Sequence, residues 1–340
     1  MKHEAWELKQ MQAVPLEGKI AMTKTRIRQW RDYWQGDVYL SFSGGKDSTV
    51  LKHIIDSMDS SIPSVFSDTG LEYPEIRQFA TAQKNVVVVR PKISFVEVIK
   101  KYGYPVVSKE VAKCVYYARK NGVIDIHYKK LFGTLLYKGE KSQYCCDNWK
   151  HLYHAPFKIS SYCCDVMKKQ PLHQYEKETK RKPIIATMTE ESLNRKIAWL
   201  RTGCNAFESK KPRSQPMSFW TEQDVLHYIK KYDVPICSVY GSIQPKRKDG
   251  EQGQISMYEL MGLYDDELLE TSGCKRTGCI FCMFGCHLEK EPNRFQLLKQ
   301  THPKQYEYCM KGGHYENGQW VPDENGLGMG FILDWLKVKH

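Results

Sequence analysis

Two sets of residues have types and spacings that could do chemistry. The first is Ser43-Gly44-Gly45-Lys46-Asp47-Ser48. It follows VYLSF (38–42), which reads as a buried strand, and precedes an apolar-periodic stretch, Thr49 to Met58, which reads as a helix. A strand end, two glycines and a helix start make a phosphate site. The backbone can approach the ligand closely, and free N–H groups and the positive helix end face the anion. Lys46 adds a point charge, and Ser43 and Ser48 add hydroxyls. The spacing is not G-x-x-x-x-G-K-[ST], so this is not a Walker loop. The plain alternative is a Gly-Gly turn with Asp47 as a helix cap.

The second set is cysteine. The chain has 12. They cluster as Cys145-Cys146, Cys163-Cys164 and the run Cys274, Cys279, Cys282, Cys286. Cys114, Cys204, Cys237 and Cys309 stand alone and read as small core hydrophobes. Two residues between thiolates let one turn present both sulfurs to a metal or cluster. The run 274–286 could hold a structural zinc, or a [4Fe–4S] cluster on the same four thiols.

Other segments must position these groups. Residues 1–35 read as a helical segment, with Trp30 and Trp34 four apart. Pro63 to Phe66, Asn85 to Arg90 and Pro183 to Thr187 read as further short strands. Short apolar strands alternating with helical stretches predict an α/β fold, a parallel sheet with helices on both faces. The domain organisation expected is a helical segment over 1–35, a nucleotide-binding domain over 36–240 and a cysteine-rich C-terminal region over 241–340. QPKRKDGEQGQ (244–254) reads as a linker. Within the middle domain, 109–158 looks inserted. It carries ten Lys/Arg against four acids, and nine aromatics are interleaved. That mixture suits phosphate contact and base stacking, or equally a basic flap over a nucleotide.

The bulk properties agree. The 340 residues carry 51 Lys+Arg against 39 Asp+Glu, a net +12 that favours an anionic partner. Hydrophobic residues are 41% and charged residues 26%, which excludes disorder, collagen and coiled coil. No apolar run approaches a membrane span, and the charged N-terminus resembles no signal peptide. A cytoplasmic protein without a membrane partner is expected, and with it reduced cysteines rather than a disulfide framework.

SGGKDS resembles the SGGxDS signature of PP-loop proteins, and the resemblance widens in chain order. Ser67-Asp68-Thr69-Gly70-Leu71-Glu72-Tyr73-Pro74 is similar to the DTGxExPE-type segment of phosphoadenosine phosphosulfate (PAPS) reductases. Cys163-Cys164 with Lys168, Pro171 and Leu172 resembles the CC segment of their iron–sulfur branch. Thr189-Glu190-Glu191-Ser192 with Arg195 looks like the second phosphate-side segment. Trp220, Asp224, Val225 and Tyr228 are similar to the W-x-x-x-D-V-x-x-Y element. Together these cover roughly 36–240 and imply an adenine-nucleotide α-hydrolase-like fold.

The resemblance implies roles. Ser43, Gly44, Gly45, Ser48, Thr69, Gly70 and Arg195 would bind ATP or PAPS. Lys46, Asp47 and Asp68 would be catalytic, with Asp68 a candidate for Mg²⁺. Cys163, Cys164, Cys279 and Cys282 would hold a [4Fe–4S] cluster, with Cys274 and Cys286 as alternative ligands and zinc as the alternative metal. The activity implied first is ATP-dependent activation and sulfur transfer to DNA or tRNA, with a sulfur donor or reductant protein as partner. The alternatives are a PAPS or APS reductase releasing sulfite, and a non-catalytic nucleotide- or DNA-binding module. One departure bears on the reductase. That family carries a reactive cysteine in a short C-terminal motif, and no cysteine follows Cys309 here.

Overall fold

The computed structural model describes residues 2–246 and 267–340. The proposed linker 244–254 lies mostly outside them. Two compact units are present. The first comprises Met1–Asp68, Glu72–Val89 and Leu172–Thr277. The second comprises Thr69–Leu71, Arg90–Pro171 and Gly278–His340.

The first unit is α/β. Its sheet contains β1 (Val38–Phe42), β2 (Ser64–Ser67), β3 (Val86–Val89), β4 (Lys182–Ile185), β5 (Asn205–Ala206) and β6 (Arg213–Ser214), in the order β3-β2-β1-β4-β6-β5. All neighbours are parallel except β5 and β6. Leu40 lies beside Ser64 on one side and Ile184 on the other. Both faces of β1 are covered, because consecutive residues Val38, Tyr39 and Leu40 are all buried. Val38, Leu40 and Phe42 enter a core with Ile27, Trp30, Leu51 and Ile54. Tyr39 points the other way. Its hydroxyl donates to Glu176 at 2.8 Å and its ring meets Tyr175 edge-on, both on the helix Gln170–Thr179.

Three details differ from the sequence reading. The N-terminal helical segment is two helices, Ala5–Ala13 and Leu16–Tyr33. Pro15 separates them by holding Val14 extended (φ −66°, ψ 136°). The four valines of β3 are not sealed on both faces. Val87 and Val88 are more than a third exposed, because β3 is an edge strand. The helix after β1 begins at Lys46 rather than Thr49, so half of SGGKDS forms its first turn.

The second unit is mostly short helices. The strand Val106–Val107 runs parallel to Met283–Phe284, so the cysteine-rich C-terminal stretch pairs with residues far earlier in the chain. The basic, aromatic segment is largely helical, with helices Lys109–Asn121 and Ile126–Leu131 and a 3₁₀ stretch, Asp147–His154. The Arg119 guanidinium ties it together by donating to the carbonyls of Leu152, Tyr153, Ala155 and Phe157 at 2.7–2.9 Å. Aromatic stacking closes the C-terminal part, with Trp320 on Phe331 at 4.5 Å and Phe157 against Trp335 at 5.6 Å. Among the described residues, no helix is long and apolar enough to cross a membrane.

Candidate functional site

The sheet order fixes where a ligand can sit in the first unit. From β1 the chain goes to β2 on one side, and β4 later joins the other side. Such a reversal leaves a crevice beyond the carboxyl ends of the two central strands. The loop after β1 is SGGKDS. The residues after β4 lead into a 3₁₀ turn, Thr189–Glu191. Both contribute to a polar cavity of about 330 Å³ lined by Lys46, Asp47, Met188, Glu190, Glu191, Glu222 and Arg276.

The loop is held by its own hydroxyls. Ser43 and Ser48 oxygens are 3.0 Å apart, Gly45 N–H donates to Ser43 Oγ, and Ser48 Oγ donates to the Gly45 carbonyl at 2.9 Å. Gly44 has φ +71°, and a Cβ there would meet Ile76 Cγ2 at 3.1 Å, so glycine is required. The Lys46 backbone N–H donates to the Tyr240 hydroxyl at 3.2 Å, which lies 2.6 Å from Thr277 Oγ1.

Each of the cavity's two cations is paired with a carboxylate. Buried Lys46 Nζ donates to Glu222 Oε1 at 2.7 Å and to the Lys275 carbonyl at 2.6 Å. Arg276 reaches Glu191 at 3.0 Å, and Arg195 also pairs with Glu191. Glu190 accepts from the Glu222 backbone N–H at 2.8 Å. Asp47 Oδ1 is buried and has no hydrogen-bond partner among the described residues. Burial raises the Asp47 carboxyl above the ordinary carboxylate range, against the opposing pull of Lys46, Arg276 and Arg195.

Of the residues read from sequence, Ser43, Gly44, Gly45, Lys46, Asp47 and Ser48 thus form one loop and helix start. Asp68 does not line this cavity. It is buried at the end of β2, with Arg77 at 3.0 Å. Thr69 and Gly70 fall in the second unit, where Thr69 Oγ1 accepts from Leu71 N–H at 3.1 Å. Arg195 is not a lining residue and is held through Glu191. Trp220 is core, fully buried, with its indole N–H on Thr23 at 2.9 Å. Asp224 is structural: it caps the helix Glu222–Tyr232 and pairs with buried Lys19 at 2.6 Å. The reading missed Glu222, Tyr240 and Arg276. Nothing in their local sequence marks them, since they reach the cavity by tertiary packing.

The second unit gathers thiols. Cys163, Cys164, Cys279 and Cys282 line one small apolar cavity with Leu71, Phe95, Pro105, Met167, Phe281 and Lys168. Cys163 and Cys164 lie on a short helical turn, Tyr162–Cys164, that runs into a π-helical stretch, Asp165–Lys169. Such π-turns recur at functional sites. The two sulfurs are 3.9 Å apart, with the Cys163 thiol donating. That hydrogen bond, aided by Lys109, Lys168 and Lys169, pulls the Cys164 thiol down to about 6 and raises Cys163. Burial raises Cys282. Cys286 is buried but does not line this cavity. Cys274 belongs to the first unit, where its sulfur lies 3.0 Å from the Arg276 carbonyl. Among the described residues, no three His, Cys, Asp or Glu side chains converge closely enough to hold a single metal ion. Four reduced thiols in an apolar sheath beside lysines are a donor set suited to a larger thiolate-bound cluster.

The family model described as the phosphoadenosine phosphosulfate reductase domain matches residues 37–284, and the chain belongs to that family. Among solved structures, the chain is similar to the phosphoadenylyl-sulfate (PAPS) reductase from Candida auris in a phosphate complex. The identity is 15% over 70% of this chain and 91% of that one, with a TM-score of 0.37. No curated protein matches the chain.

Proposed function

We propose that this PAPS reductase-family protein is an enzyme that binds ATP at the SGGKDS cavity, activates an acceptor, and transfers sulfur to a nucleic acid. The observation that carries this reading is the mixed charge of the cavity. Lys46 and Arg276 suit phosphates, and Asp47, Glu190, Glu191 and Glu222 stand beside them. A polyphosphate alone would be repelled by four carboxylates. A nucleotide carrying Mg²⁺ satisfies both signs. In the reaction, an acceptor oxygen bonds to the α-phosphorus, and pyrophosphate leaves with the electron pair of the bridging oxygen. Lys46 and Arg276 neutralise the leaving charge.

Cys163, Cys164, Cys279 and Cys282 would hold an iron–sulfur cluster, which when bound supplies electrons or a sulfur-binding iron. The nucleic-acid acceptor is supported by the second unit's basic segment, where Lys113, Lys120, Lys129, Lys138 and Lys150 are exposed alongside Tyr137 and Tyr144. A sulfur donor, with a reductant protein where the donated sulfur lies above the sulfide level, completes the reaction: sulfur bonds to the activated acceptor atom in place of the adenylated oxygen, and AMP leaves carrying that oxygen.

A second reading is favoured by the family match itself: a sulfonucleotide reductase acting on PAPS. Anaerobically purified protein is mixed with ATP·Mg²⁺ and, separately, with PAPS and a thiol reductant. Pyrophosphate release stimulated by DNA or tRNA supports the first reading, and sulfite from PAPS replaces it with the second. Nucleotide binding with neither product leaves a non-catalytic module.

A further inference from the structure

In the second unit a charged clamp holds the cysteine-rich stretch. Arg294 opens the helix Arg294–Thr301, which packs through buried Phe295 and Leu298. Buried Asn293 caps that helix and donates to the Lys339 carbonyl at 2.7 Å, so the start of the helix is fixed. From there the Arg294 guanidinium donates to the Cys282 carbonyl at 2.9 Å. Its Nε donates to Glu289 Oε1 at 2.8 Å, and Nη2 reaches the same oxygen. The Arg294 backbone N–H donates to Glu289 Oε2 at 3.0 Å. The chain between Cys282 and Glu289 carries buried Cys286 and Gly285, whose N–H donates to the Val107 carbonyl at 2.8 Å. Residues 282–289 are thus pinned by a strand at one point and by a guanidinium at two. The Arg294 and Glu289 side chains are only 32% and 31% exposed, so water screens the pair in part. Lys168 belongs to the Cys163–Cys164 side of the four-cysteine cavity, and Arg294 serves the Cys279–Cys282 side. Arg294 lies beyond residues 37–284, the part of the chain that the family model matches.

We propose that Arg294 is a positioning residue for the four-cysteine cavity, fixing the turn at Cys282 and placing beside it a positive charge that raises the reduction potential of a cluster bound there. The proposal rests on the cluster reading above. A cluster that has gained an electron carries one more negative charge. A fixed cation near the ligating segment favours that reduced form, and a carboxylate opposes it. Arg294 and Glu289 therefore act together on the shape of the loop and with opposite signs on the potential. A pair with a structural role alone would move the potential in neither variant, or in the same direction in both as the loop loosens. The thiols agree. Burial raises Cys282 and Cys286, and the Arg294 charge opposes it at both.

The full chain is purified anaerobically and its iron and sulfide are counted. It is then titrated with dithionite in redox mediators, with electron paramagnetic resonance as the readout. Arg294→Gln should shift the midpoint to a more negative potential, and Arg294→Lys should shift it less. Glu289→Gln, isosteric and still an acceptor, should shift it to a more positive potential at unchanged iron content. Where Arg294→Gln fails to fold or to hold iron, the direction of the Glu289→Gln shift decides alone. Midpoints that stay at the wild-type value, or that move the same way in Arg294→Gln and Glu289→Gln, overturn the proposal and leave the cluster reading intact. Wild-type protein without iron and sulfide overturns the cluster reading and this proposal with it.

Discussion

Lys46 is the group on which the nucleotide reading depends most directly, and its ion pair sets the size of two opposite effects. Its side chain is 5% exposed, while that of its partner Glu222 is 50% exposed. In Lys46→Ala a phosphate loses a charge-assisted hydrogen bond worth about 1.5–3 kcal/mol, or roughly 10- to 150-fold in affinity. Folding should survive, because solvent still reaches the Glu222 carboxylate left behind. In Glu222→Gln the lysine is released from a competing anion. A pair with one half-exposed member is worth about 0–1 kcal/mol after solvent screening, so nucleotide affinity in chelator should rise by at most about fivefold. The assay is calorimetric titration of ATP and of PAPS into each variant, with far-UV circular dichroism as the folding control. Unchanged affinity for both nucleotides in a folded Lys46→Ala would refute the assignment. So would a Glu222→Gln variant that binds more weakly than Lys46→Ala.

Three further outcomes are expected. Burial raises the Asp47 carboxyl, so the folded state holds a proton that the unfolded state has released. Between the ordinary Asp range and the raised value, stability must therefore fall as pH rises. Asp47→Asn should flatten that part of a melting-temperature profile and leave the alkaline plateau no lower. For the metal, anaerobic protein should contain about four iron and four sulfide per chain. Cys164→Ser and Cys279→Ser should lose them and Cys274→Ser should keep them, whereas stoichiometric zinc without sulfide would exclude the cluster. For nucleic acid, replacing Lys113, Lys129, Lys138 and Lys150 with Gln should reduce the log–log salt slope for a single strand by about 3, at roughly 0.7 for each phosphate that is no longer neutralised. An unchanged slope would remove this face from the interface.

By its local pattern the sequence determined the pieces. VYLSF, two glycines, Lys46 and the apolar period after Thr49 are enough to write strand, phosphate loop and helix, because each rests on neighbours a few residues apart. The same holds for Pro63 to Phe66 and for the cysteine pairs 163–164 and 279–282. Partnership was decided only in the folded chain. Strand order is a matter of long-range hydrogen bonding, and no local period says that β4 lies beside β1 and brings Glu190 and Glu191 to Lys46. Glu222 and Arg276 arrive from distant segments in the same way. Edge position, not the valine run, leaves β3 half open. Trp220 and Asp224 stand in a segment that resembles a functional element, yet one fills the core and the other answers buried Lys19. Residue type and spacing carry the chemistry available to each group. Which groups meet depends on burial and pairing across the whole chain, and those are properties of the tertiary structure.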